Sequence, residues 1–203
     1  MLEIEIKIPL TKQQISIVLN ELRQLSNITD EINYKPLCTF LGEKTELDYY
    51  YQHPCRNFAQ TDEALRIRDK KVAGSSESFE LTYKGAKIDS ITKTRREISV
   101  KIDSLENIQA LLSSLGFFLA GQVIKNRKSW KINKEGITVS IDEVKSLGTY
   151  LELEIVDVQS KYEVSAEKLF LWLRKLLKCE ELPPMERRSY LELLLKRSEV
   201  SSK

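Results

Sequence analysis

The sequence predicts an α+β protein: an eight-stranded antiparallel β-barrel with a polar, charged lumen and helices packed on its outside. Three observations lead there. Short segments of strict apolar/polar alternation recur along the chain, and a period of two marks a strand with unlike faces. The polar face of segment after segment carries long charged side chains. Between the segments lie amphipathic stretches with helical spacing, suited to covering the apolar faces from outside.

The elements follow in order. Residues 2–8 alternate, with Leu2, Ile4, Ile6 and Ile8 on one face and Glu3, Glu5 and Lys7 on the other. Thr11 and Gln14 then form a capping box, and Ile15, Val18, Leu19, Leu22 and Leu25 make a helical stripe closed by polar residues 26–30. Residues 38–51 read as extended, with a turn or bulge near Gly42. The three tyrosines at 49–51 are wall packing in this reading, with room for one hydroxyl in the lumen. Residues 53–62 form a loop in which His53, the sole histidine, has a structural place.

Residues 64–68 alternate again and put Arg66 and Arg68 on one face. A turn over 71–78 leads to a strand over 79–84 with Glu80, Thr82 and Lys84 together. Residues 85–91 form a loop, a candidate mobile element near the entrance. The strand over 93–100 groups Lys93, Arg95, Glu97 and Ser99.

Ser104 opens a short helix carrying Ile108, Leu111, Leu112 and Leu115, which Gly116 stops. Residues 117–132 are strand-like, with Lys125 and Arg127 on one side. A turn at Gly136 precedes a strand over 137–142, and Gly148 separates it from residues 150–155, where Glu152 and Glu154 share a face. The period then changes. Leu169, Trp172, Leu173, Leu176 and Leu177 mark a helix, Pro183 and Pro184 break it, and 190–196 form a last helix.

At 203 residues the chain suits a single domain over 1–197 with a tail at 198–203. Lys and Arg (32) nearly balance Asp and Glu (30), so a net charge of +2 gives no general reason to expect nucleic-acid or membrane binding. Cys38, Cys55 and Cys179 are odd in number and widely spaced, which fits a reducing compartment and neither a disulfide framework nor a zinc site. No signal-like segment or apolar run of membrane length stands out, and the expected location is the cytoplasm.

Two architectures accommodate the charged faces. On an open sheet under one layer of helices they would face solvent. In a closed barrel, Lys7, Arg66, Arg68, Lys84, Arg95, Lys125 and Arg127 would line a tunnel with Glu3, Glu5, Glu97, Asp142, Glu152 and Glu154. Buried cations call for an anionic guest. Carboxylates without Cys or His partners suit Mg²⁺ or Mn²⁺. Cations around a carboxylate-held hard ion match a polyphosphate.

The opening Glu3-x-Glu5-x-Lys7 resembles the signature of the CYTH, or triphosphate tunnel metalloenzyme, superfamily. The segments at 47–51, 53–58, 63–68, 81–85, 93–97 and 147–154 resemble its class IV adenylyl cyclase branch, in order, over about residues 1–195. The resemblance implies an eight-stranded tunnel that binds triphosphate compounds with Mg²⁺ or Mn²⁺. Position by position it implies metal ligation by Glu3, Glu5, Glu152 and Glu154. Phosphate binding would fall to Lys7, Arg66, Arg68, Lys84, Arg95, Lys125 and Arg127. Glu97 and Asp142 would either touch a metal or position a cation. Lys7, Glu5 and Lys84 are the residues assigned to catalysis.

The expected activity is metal-dependent hydrolysis of tripolyphosphate or of nucleoside triphosphates such as ATP, because hydrolysis asks least of the residues named. A class IV adenylyl cyclase forming cyclic AMP and pyrophosphate is the first alternative, and would need an adenine pocket and a bent nucleotide pose to which the sequence pattern assigns no residues. A non-catalytic triphosphate sensor is the second. The partner is thus a small-molecule triphosphate, and the apolar surplus of the C-terminal helices leaves room for a homodimer.

Overall fold

The computed structural model describes residues 2–31, 34–72, 74, 76–157 and 162–201, without the side chains of 157, 200 and 201. Ala73 and Ser75 of the expected turn and residues 202 and 203 of the expected tail lie outside the described residues. Among the described residues eight strands and four helices run in order: β1 (Leu2–Pro9), α1 (Lys12–Ser26), β2 (Cys38–Gln52), β3 (Ala64–Lys71), β4 (Ser78–Lys84), β5 (Arg95–Ile102) and α2 (Leu105–Ser114). Then come β6 (Phe118–Ile132), β7 (Ile137–Val144), β8 (Gly148–Asp157), α3 (Tyr162–Leu177) and α4 (Tyr190–Ser201). The strands close into an antiparallel barrel in the order β1-β5-β4-β3-β2-β6-β7-β8. Closure decides against the open sheet. No described helix is long and apolar enough to cross a membrane.

The apolar faces point outward, as the alternation predicts. Ile4, Ile6 and Ile8 of β1 join Leu151 and Leu153 of β8 beneath Val18, Leu22 and Leu25 of α1 and Leu169, Leu173, Leu176 and Leu177 of α3. Four of these twelve side chains are isoleucines or valines and eight are leucines, and buried aliphatic side chains contribute roughly 1.5–3 kcal/mol each. A second cluster gathers Val123, Val144 and Tyr150 under Tyr190 and Leu191 of α4. A third places Leu112 of α2 on Tyr51 and Ile67. The core therefore lies between barrel and helices, and the lumen is left to the charges.

Local signals explain the joints. The capping box forms: the Thr11 side chain accepts from Gln14 N–H at 3.3 Å, and the Gln14 side chain accepts from Thr11 N–H at 2.9 Å. At Gly42 the pairing of β2 with β6 slips by one residue, between Phe40 and Gly42, leaving Leu41 unpaired. The φ of +121° there suits glycine and strains other residues.

Several boundaries differ from expectation: β3 runs to Lys71, β8 spans Gly148–Asp157, α4 runs to Ser201, and the start of β5 is shifted. Lys93 and Thr94 precede β5 rather than belonging to it, because the Lys93 N–H donates to the Glu5 carbonyl at 2.8 Å and Thr94 O accepts from Ile88. The 85–94 loop is pinned further where Arg187 donates to the Asp89 and Thr92 carbonyls at 2.6 and 3.3 Å.

Candidate functional site

Antiparallel pairing brings distant segments of sequence onto one inner wall. β1 and β8 align Glu5 opposite Glu154 and Lys7 opposite Glu152. β3 and β4 align Arg66 with Thr82, β4 and β5 align Lys84 with Glu97, and β6 and β7 align Arg127 with Asp142. The result is one cavity of about 430 Å³ along the barrel. All seven predicted cations line it, and so do Glu3, Glu5, Glu97, Glu152 and Glu154. Of the predicted acidic residues only Asp142 does not. It is fully buried in the wall, where it accepts from Arg127 at 2.5 Å, Lys125 at 3.0 Å and the Tyr190 hydroxyl at 3.0 Å. Of the two roles open to it, positioning cations is the one its contacts fit.

The cations divide into two groups. Arg68, Lys125 and Arg127 are committed to carboxylates in the wall. Arg68 forks onto Asp48 at 2.6 and 2.7 Å and reaches Glu46 at 3.0 Å, while Lys125 reaches Glu46 at 3.3 Å. Arg127 adds a bond to Glu152. Burial opposes ionisation of these acids, but the guanidinium and ammonium charges win. Asp48 is held at about 2 beside Arg68 and Arg66, and Glu46 and Glu152 fall well below the usual carboxylate range. The Glu46 oxygens are met by ion-pair contacts with Lys44, Arg68 and Lys125 without well-aligned hydrogen bonds.

Arg66, Arg95 and Lys7 are far less committed. Arg66 stands 3.7 Å from Asp48 and 3.4 Å from the Thr82 hydroxyl, and its Nε is buried without a hydrogen-bond partner. Arg95, also buried, has among the described residues only Asp62, at 3.9 Å, as an ion-pair partner. Lys7 is 1% exposed and, among the described residues, makes no ion pair within 4 Å. Its ammonium donates to the Arg188 carbonyl at 2.5 Å and sits 4.1 Å from the centre of the Tyr190 ring. Burial, then the neighbouring charge of Lys93, pushes it down to about 7. A buried donor left unpaired is costly, and three half-satisfied cations on one wall mark where an anion would be held.

The carboxylates offer only oxygen donors, which suits a hard divalent cation. Burial and the charges of Glu3 and Glu5 push Glu154 up to about 7, a crowding that such an ion would relieve. Among the described residues no three His, Cys, Asp or Glu side chains converge on one point as a cage. Instead, Lys84 holds Glu3 at 2.8 Å and Glu97 at 2.7 Å, Lys93 pairs with Glu5, and Arg127 with Glu152. The donor set fits the ion by chemistry, and loading it would exchange these internal cations for the metal.

Sequence reasoning missed four contributors. Glu46 and Asp48 share the alternation that exposes Lys44 and Tyr50 to the cavity, so the period of residues 44–50 held the signal. Lys93 shares the alternation of Arg95 and Glu97 but lies on the loop before β5. Tyr190 begins α4, and nothing in its helical spacing points to a barrel lumen. Of the tyrosines at 49–51, Tyr50 lines the cavity while Tyr49 and Tyr51 pack outside. His53 is away from the cavity, stacked edge-on against Phe117 at 4.9 Å with its Nδ1 accepting from Cys55 N–H. Cys38, Cys55 and Cys179 are free thiols.

The CYTH domain model matches residues 1–183. A Methanocaldococcus jannaschii protein named "Putative adenylate cyclase" is 38% identical over 197 residues, covering 95% of this chain and 98% of its own. A solved Pyrococcus horikoshii structure superposes with a TM-score of 0.80 at 37% identity, over 96% of this chain and 99% of that one. A Hippeastrum protein, described as an adenylyl cyclase candidate with a dominant triphosphatase activity, shares the fold. It does so with a TM-score of 0.62 at 15% identity, over 98% and 95% of the two chains.

Proposed function

The chain belongs to the CYTH domain family, and on that premise we propose that it is a divalent-metal-dependent triphosphatase acting on tripolyphosphate or on nucleoside triphosphates such as ATP. The family generally comprises enzymes acting on triphosphates. One observation carries the reading: the barrel lumen is lined by all seven of the expected phosphate-binding cations and all four of the expected metal-binding carboxylates, which donate only oxygen. Nine cations and eight carboxylates line that cavity, so it is close to neutral as it stands. A bare triphosphate would overload it with negative charge; a triphosphate accompanied by a divalent ion would not.

Glu3, Glu5, Glu152 and Glu154 would hold the metal, whose chemistry is to neutralise phosphate oxygens and sharpen an attacking oxygen. The protein's own residues do the positioning, which is most of what phosphoryl transfer requires. Arg66, Arg95 and Lys7 meet the phosphate oxygens, since their donors are the least engaged. Lys84 leaves Glu3 and Glu97 to neutralise charge at the same wall. Arg68, Lys125 and Arg127 shape the floor through Glu46, Asp48 and Asp142. Glu5 would help hold the metal, and Lys7, lining the same lumen, would offset the charge that develops during bond cleavage.

A second reading, cyclisation of ATP to cyclic AMP and pyrophosphate, is favoured by the name of the Methanocaldococcus jannaschii relative. One assay separates the two: purified protein with tripolyphosphate or ATP and Mg²⁺ or Mn²⁺, monitored for phosphate, pyrophosphate and cyclic AMP. Phosphate release is the expected result. Cyclic AMP as the main product from ATP would replace this proposal with the second reading, and binding without turnover would replace it with a sensor.

A further inference from the structure

Among the described residues, Lys93 is the one cation lining the cavity that no strand carries. Its main chain is nevertheless fixed. The Lys93 N–H donates to the Glu5 carbonyl at 2.8 Å, and the flanking Thr92 and Thr94 are buried with their hydroxyls bonded to each other. The Asp89 carboxylate accepts from the N–H groups of Ile91 and Thr92 at 2.7 and 2.6 Å, and Arg187 clamps the same loop from outside. The side chain is held far less. An ammonium has three donors, and among the described residues this one has a single hydrogen-bond partner, Glu5. By contrast, Lys84 is shared between Glu3 and Glu97, and Arg127 forks onto Asp142. The Lys93 ammonium stands in the field of two sets of groups. It pairs with Glu5, and its charge also acts on Glu3 and Glu152, so it meets three of the four carboxylates expected to hold a metal. It also repels Lys7 and Arg95, two of the three cations whose donors are least engaged.

We propose that Lys93 is a built-in counter-ion that makes metal loading conditional on triphosphate: it neutralises Glu5 in the metal-free chain and turns to a phosphate oxygen once a metal claims Glu5. This rests on the functional reading above and adds to it a phosphate-binding residue and a coupling between the two ligands. Loading a divalent ion alone takes from Lys93 its one hydrogen-bond partner and leaves the ammonium beside Lys7 and Arg95. The side chain is only 11% exposed, so water compensates little, and stranding a buried charge is costly. Loading the same ion with a triphosphate brings the replacement anion, and the cost disappears. A lysine suits this exchange, being a point charge on a flexible four-carbon stem, whereas a guanidinium is bound to its fork geometry. The fixed main chain confines the movement to the side chain. By linkage the coupling is reciprocal: triphosphate aids the metal by the factor with which the metal aids triphosphate.

Two titrations of the full chain test this, each on the wild type, Lys93→Met and Lys93→Gln, with circular dichroism to verify folding. The glutamine variant keeps a hydrogen-bond donor for Glu5 without the charge. In the first, Mn²⁺ alone is added and the free ion is followed by electron paramagnetic resonance. In the second, the preformed Mn²⁺–tripolyphosphate complex is added and binding is followed by calorimetry. Removing the charge should tighten Mn²⁺ alone about tenfold and weaken the complex about tenfold. A lysine with a merely structural role would weaken both, so the opposite signs are the signature. Folded variants that bind Mn²⁺ alone no more tightly than the wild type, or that take up the complex as tightly, overturn this proposal and leave the functional reading standing. A wild type that takes up Mn²⁺ alone but not the complex overturns the functional reading, and this proposal with it.

Discussion

At the scale of single residues, the arginines of β3 separate a role in binding from a role in holding the wall. Arg68 neutralises Asp48 and Glu46, both fully buried. Arg68→Met should therefore cost on the order of 3–5 kcal/mol in a urea denaturation, since it strands buried carboxylates. Arg66 makes looser contacts, with Nε unpaired. Arg66→Met should change stability by less than about 1 kcal/mol while weakening triphosphate binding. Equal losses of stability in the two variants would contradict the division. Glu154 gives a prediction in pH. Its acidity lies near 7 rather than 4.5 because of burial and of Glu3 and Glu5 beside it. The folded chain thus holds a proton that the unfolded chain releases between those values. The stability it contributes is full below 4.5 and lost as pH rises through 7. Glu154→Gln should match the wild type at pH 4.5 and exceed it at pH 8 without metal, by on the order of 3 kcal/mol. Melting curves across pH check it, and an unchanged wild-type slope in the variant would refute it.

Among the elements, β1 is where sequence and site meet most directly. Its alternation shows which side chains face the lumen, and the register with β8 sets Glu5 against Glu154. What the alternation cannot show is that Glu5 is paired with Lys93 from the loop before β5. Glu5→Gln should abolish metal-dependent turnover, and it also strands a buried ammonium. The double variant Glu5→Gln/Lys93→Met should recover stability without recovering activity. Recovery of activity would show that Glu5 matters only as the partner of Lys93. The start of α4 carries the other consequence. Tyr190 covers Lys7 and Lys125 with its ring and donates to Asp142. Tyr190→Phe removes one hydrogen bond to a charged acceptor, worth about 1.5–3 kcal/mol, and should lower the melting temperature while leaving the ring over Lys7. A melting temperature equal to the wild type's would contradict that bond.

For the whole molecule, the set of strands and the inverted polarity were legible because every strand repeats one rule, apolar outward and charged inward. Closure converts that rule into a lumen, as Ile4, Ile6 and Ile8 outside and Glu3, Glu5 and Lys7 inside illustrate. The pairing among the charges was not legible. Whether Arg68 meets a phosphate or Asp48 depends on cross-strand register, and the residues that complete the wall enter from a loop (Lys93) and from the start of a helix (Tyr190). Nor does composition reveal that the lumen is nearly neutral, a property that makes a metal-bearing guest the natural fit. The most direct measurement is a calorimetric titration of tripolyphosphate into the wild type and Arg66→Met, each with and without Mn²⁺. The account predicts one site per chain, tighter binding with the metal, and a loss of at least about tenfold in the variant. Metal-independent binding of equal strength in both proteins would contradict it.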